Sequence, residues 1–198
     1  MPEAEAPYAL VLGLSDFHYG KLGVEGYNRA EAERRLFTSL DELATRLARH
    51  GRPTRIILGI GSDGCHVDTL SGTTTRGTPQ DCDGTPEDIM LGWLDLMRRA
   101  VDRLRQMAPA VELVFMPGNH DRMVTLFLTE FLRAWYRNVE AVKVIGGQPG
   151  VDGGLRPRQY VRHGDTLLAF LHGDLLKPQQ WVGVIADEAR ELWGACSH

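Results

Sequence analysis

The chain has 198 residues, enough for one sizeable domain and little more. Hydrophobic residues make up 43% and charged residues 24%, as in an ordinary soluble domain, and the net charge of -4 excludes a global electrostatic pull toward nucleic acid while leaving a local basic patch open. No apolar run nears the roughly 20 residues that span a bilayer, and the acidic start Met1–Ala6 lacks the features of an export signal. The three distant cysteines, Cys65, Cys82 and Cys196, therefore read as free thiols in a reducing cytosol, and the expected setting is cytoplasmic with no membrane partner.

Tyr8–Leu14 is a nearly continuous apolar run, the pattern of a strand buried on both faces, and it stops at Ser15-Asp16-Phe17-His18. Residues 20–26 read as a loop. Asn28 followed by Glu31 is the pattern of a capping box, and Leu36, Phe37, Leu40, Leu43, Ala44 and Leu47 continue at helical spacing to a stop at Gly51. Arg55–Ile60 is a second buried strand, ending at Gly61-Ser62-Asp63. From Gly64 to Pro86 no hydrophobic period exists, which predicts a long surface loop, either functional or a mobile insertion.

Glu87–Met107 reads as an amphipathic helix with its arginines on the solvated face. Val111–Met116 is a third strand, cut off by Pro117-Gly118 and followed at once by Asn119, His120, Asp121 and Arg122. A helix is expected over Val124–Asn138, a short strand over Val142–Ile145 and a Gly-rich connector over Gly146–Gly154. Arg158–Val161 and Thr166–Leu171 read as a hairpin around Gly164-Asp165, ending at His172-Gly173-Asp174, and a last helix is expected over Trp181–Trp193. The alternation of strands and helices predicts an α/β fold in a single domain, 1–198.

The strands thus end in D-F-H, S-D, G-N-H-D and H-G-D. Ligands of open α/β sheets gather at the carboxyl ends of the strands. If these strands are neighbours, Asp16, His18, Asp63, Asn119, His120 and His172 converge. Carboxylate, imidazole and amide oxygen form a hard-to-borderline ligand set that suits Mn²⁺, Fe or Zn²⁺, with no thiolate pattern to mark a structural zinc.

The blocks S-D-F-H at 15–18, G-S-D at 61–63, G-N-H-D at 118–121 and H-G-D at 172–174 together resemble the calcineurin-like metallophosphoesterases over nearly the whole chain. The stretch G-T-T-T-R-G-T-P-Q-D, with N-H-D-R and E-L-W-G, is similar to a phage-type subgroup. The resemblance implies a sandwich of two packed mixed β-sheets flanked by helices. It implies two divalent metal ions, Mn²⁺ before Fe or Zn²⁺. Asp16 and His18 would bind the first, Asp63 would bridge both, and Asn119 and His172 would bind the second. His120 would donate a proton to the leaving oxygen, with Asp121 orienting its ring. Arg122 and, more weakly, Arg76 would meet a phosphate oxygen. The reaction implied is hydrolysis of a phosphate mono- or diester, nucleic acid included, by a water held between the metals.

Two departures stand out. Ser62 replaces the usual residue before Asp63, and the family's closing G-H-x-H block is missing, so each metal lacks one protein ligand on the family plan. His198 reads as a frayed end. The expectation is a chain shortened at its C-terminus, lacking its last strands and inclined to form a homo-oligomer. Two other classes compete with the enzyme: a weak or inactive relative serving as a binding module, and an unrelated α/β nucleotide binder, which would need a Gly-rich turn after the first strand. His66 and Asp68, just past Asp63, are equally supporting residues, substrate contacts or plain loop residues. His50 and His163 read as surface histidines, and Cys65 as uninvolved in metal binding.

Overall fold

A computed structural model describes residues 8–146 and 155–196. The Gly-rich connector, save Gly146, and His198 lie outside the described residues. Four strands, β1 (Ala9–Leu14), β2 (Arg55–Gly61), β3 (Val111–Met116) and β4 (Val142–Ile145), form a parallel sheet in the order β1-β2-β3-β4. Between them run α1 (Arg29–His50), α2 (Pro86–Leu104) and α3 (Arg122–Trp135). Parallel neighbours joined by right-handed crossovers in sequential order put every helix on one face. Ile56, Leu58 and Ile60 of β2 and Leu113 and Phe115 of β3 accordingly pack with Trp93, Leu96 and Met97 of α2 and Leu128 and Leu132 of α3.

The alternate residues, Ile57, Val114 and Met116, meet Val161 and Phe170 of an antiparallel hairpin, β5 (Arg158–His163) and β6 (Thr166–Leu171). The expected pair of mixed sheets is therefore corrected: one sheet is purely parallel and the other purely antiparallel. The helical crossovers dictate the first, and the tight turn at Gly164-Asp165 dictates the second. The hairpin covers β2 and β3 and leaves Val11 of β1 43% exposed.

Asn28 caps α1 by accepting from the Glu31 amide at 2.9 Å, but the Glu31 carboxylate pairs with Arg34 and Arg35, so only half of the expected capping box forms. The last helix is broken at Ala189 into α4 (Trp181–Glu188) and α5 (Arg190–Gly194). The long 64–86 loop is not a loose insertion. Cys65 bridges to Tyr19 and Cys82 to Lys21, and Cys65, His66, Val67, Asp68 and Thr74 are buried.

Candidate metal centre

The parallel register pairs Leu14 with Ile60 and Gly61 with Met116, so three strands end at one level. The chain stays zipped beyond them. Amides of Asp16 and His18 donate to the carbonyls of Ser62 (2.8 Å) and Asp63 (3.0 Å), and Ser62 N donates to Met116 O at 2.5 Å. These contacts hold Asp16, His18, Ser62 and Asp63 at φ between 47° and 63°. They are four of the five non-glycine residues with positive φ among the described residues. Each such residue costs roughly 1–3 kcal/mol, and backbone strain of this kind clusters where side chains are aimed for function.

Gly118 shows why the third block needs glycine. A Cβ there would lie 2.0 Å from Asp63 Oδ1 and 2.4 Å from its amide. The close approach lets His120 N donate to Asp63 Oδ1 at 2.8 Å. The other carboxylate oxygen, Oδ2, lies 3.6 Å from His172 Nε2. His172 Nε2 is 3.0 Å from Asn119 Oδ1, and its Nδ1 is 2.8 Å from the Ser62 hydroxyl. The Ser62 hydroxyl thus orients His172. On the opposite side His18 Nε2 lies 4.0 Å from Asp16 Oδ1, and ligand atoms of Asp16, His18 and Asp63 all fall within 4.8 Å of one another.

These spacings fit a metal. With bonds of ~2.1 Å, two ligand atoms sit about 3.0 Å apart in cis and about 4.2 Å apart in trans. Asp63, at 4% exposure, stands between the two sets. The Asp16 side chain is 74% exposed and, with His18, edges an open cleft of about 890 Å³ between α1 and β1.

A third imidazole joins the site. His18, His66 and His120 have ligand atoms within 4.8 Å of one another. His66 Nδ1 is 3.1 Å from His18 Nδ1, and the His66 carbonyl is 3.2 Å from His120 Nδ1. A carbonyl only accepts, so His120 carries hydrogen on Nδ1 and keeps Nε2 for chemistry. Burial holds His18 below the usual imidazole range, helped by His120 and opposed by Asp63. Burial, with His18 and His120 beside it, lowers His66 to about 4.

The expectation that Asp121 orients the His120 ring is corrected. Asp121 is fully buried, and its oxygens accept from the amides of Gly64 (2.8 Å), Cys65 (3.1 Å) and Gly118 (2.9 Å). Burial raises its carboxyl to about 6 against the pull of those donors. Its work is to lock the Asp63 loop to the Asn119 loop. Nor does it cap α3: Asp68 does, accepting from Met123 N (2.6 Å) and Val124 N (2.9 Å). Arg122 opens α3 and Arg76 sits in the long loop; both are exposed, and among the described residues neither side chain has a hydrogen bond or an ion pair.

Ser62, His66 and Asp68 were each readable only as neighbours of Asp63; a His and an Asp three and five residues past Asp63 were the available signal. The chain matches no family model and no curated protein, so the reading of the site rests on its own geometry.

Proposed function

We propose that this chain is a metal-dependent phosphoesterase of calcineurin-like architecture, acting on a phosphate mono- or diester, with nucleic acid among the candidate substrates. The observation that carries the proposal is the Asp63 carboxylate, set between Asp16 and His18 on one side and Asn119 and His172 on the other. Two divalent ions held there, Mn²⁺ foremost, would polarise a phosphoryl oxygen and acidify a water. The chain's own residues do the rest. His120, its Nδ1–H held by the His66 carbonyl, would protonate the leaving oxygen from Nε2 in its doubly protonated form, and would be left neutral with its hydrogen on Nδ1. Arg122 and Arg76, both exposed, are the candidates to meet phosphate oxygens. A second reading, a binding module that holds one ion, is favoured by the exposure of Asp16, which leaves its side of the site half-built. Calorimetric titration with Mn²⁺, followed by assays on aryl phosphate mono- and diesters, separates the two. Two ions with turnover support the enzyme; one ion without turnover supports the module; no ion removes both.

A further inference from the structure

We infer that His66 is a positioning residue that fixes the tautomer of His18, and through it the affinity of the metal position formed with Asp16 and Asp63; the inference rests on the metal-centre reading above. The two Nδ1 atoms lie 3.1 Å apart. At that distance one nitrogen must carry hydrogen and the other a lone pair, since two lone pairs or two N–H groups repel. His18 turns its other nitrogen, Nε2, toward Asp16 at 4.0 Å. To ligate there, Nε2 must hold its lone pair, so hydrogen sits on Nδ1 and is donated to His66.

His66 is built to accept it. Its Nε2 can carry the ring's single hydrogen and leave Nδ1 as an acceptor. The His66 amide is tied to Tyr19 O at 3.0 Å, and the residue is 4% exposed. The loop that carries it is anchored twice more, by Asp68 on α3 and by the Thr75 amide on Asn119 O at 3.2 Å. Metal-bound histidines generally donate their second N–H to such a fixed partner, and its loss typically costs 10–100-fold in metal affinity. The rival use of the cluster, an ion held by His18, His66 and His120 themselves, would need the lone pair of His18 on Nδ1 if His18 offered it the nitrogen that faces His66. Hydrogen would then sit on Nε2, facing Asp16, and a neutral ring cannot serve both positions.

The test uses the full chain with ¹⁵N-labelled histidine. In metal-free wild type, long-range ¹H–¹⁵N correlation should show His18 protonated on Nδ1. His66→Phe should erase that preference and weaken one of two Mn²⁺ sites about 10–100-fold by calorimetry. His66→Asn, whose side-chain oxygen replaces the acceptor, should restore most of both. Hydrogen on His18 Nε2 in wild type, unchanged Mn²⁺ affinity in His66→Phe, or a third ion would overturn the inference. If wild type binds no Mn²⁺, the metal-centre reading fails, while the tautomer measurement still decides the role of His66.

Discussion

The two sides of Asp63 are built differently. On the Asn119 side the candidate ligands already touch: His172 Nε2 donates to Asn119 Oδ1 at 3.0 Å, and Ser62 holds its far nitrogen at 2.8 Å. On the Asp16 side the spacing is wider, 4.0 Å, and the carboxylate is 74% exposed at the mouth of the cleft. Preorganised ligands lose less conformational freedom when they bind, so the Asn119 side should fill first and hold its ion more tightly. The difference follows from the fold. The hairpin that brings His172 packs over β2 and β3, while β1, which carries Asp16, is a sheet edge that leaves Val11 43% exposed.

The largest effect tests what the two sides share. Asp63→Asn removes the charge common to both, and we expect it to abolish binding of both ions. Activity should fall beyond the roughly 10²–10⁴-fold typical of losing one acid–base group. A variant that keeps one tight ion would show that the sides do not meet at Asp63. His120→Ala should separate chemistry from binding: turnover falls about 10²–10⁴-fold while a Mn²⁺ titration still counts two ions. Loss of an ion in that variant would move His120 from the acid role to a ligand role.

Gly118→Ala attacks the junction itself. The new methyl would meet Asp63 Oδ1 at 2.0 Å, and the neighbouring backbone has no flexible side chain to yield. Overpacking of this severity should cost about 2–3 kcal/mol of stability, read by urea denaturation of the metal-free protein. An unchanged midpoint would mean that the two loops are not in contact.

The metal-free site should also register pH. Burial, then His18 and His120, hold His66 near 4, with Lys21 pushing the same way and the Asp81 backbone opposing. The ring is thus harder to protonate in the folded chain than in the unfolded one, where it titrates near 6.5. Its contribution is present above pH 6.5 and is lost as pH falls from 6.5 toward 4, by about 2–3 kcal/mol. His66→Asn should flatten the stability profile across that window; a profile as steep as wild type would place the proton uptake elsewhere.

Much of this was legible in the sequence. The strand tips could be read because continuous apolar runs, such as Val111–Met116, stop at polar residues with no spacer, and the parallel sheet follows from the helices between them. The loop partners could not. Asp121 was expected beside the His120 ring because the two are adjacent, yet its oxygens reach amides at Gly64 and Cys65, more than fifty positions away in the chain. His66 sits in a stretch with no hydrophobic period, and its contact with His18 spans 48 positions, a distance on which no local pattern bears. Hydrogen-bond partners across loops are set by tertiary register, not by residue spacing.

Ser62→Ala gives the finest test of the difference between the two sides. Ser62 is 4% exposed, and its hydroxyl meets His172 Nδ1. With His172 Nε2 as a ligand atom, the ring's hydrogen must move from Nε2 to Nδ1, where the Ser62 oxygen accepts it. Removing the oxygen leaves a buried N–H without its partner and frees the ring to switch tautomer, which places hydrogen on the ligand nitrogen. We expect one of the two ions to weaken about tenfold, the low end for loss of a supporting hydrogen bond, with the other unchanged. Because the affected ion is the tighter one, the two affinities should draw together in a two-site calorimetric titration. Equal weakening of both would mean that the strain at Ser62 (φ 53°) supports Asp63 directly, and that the two sides are one cooperative unit.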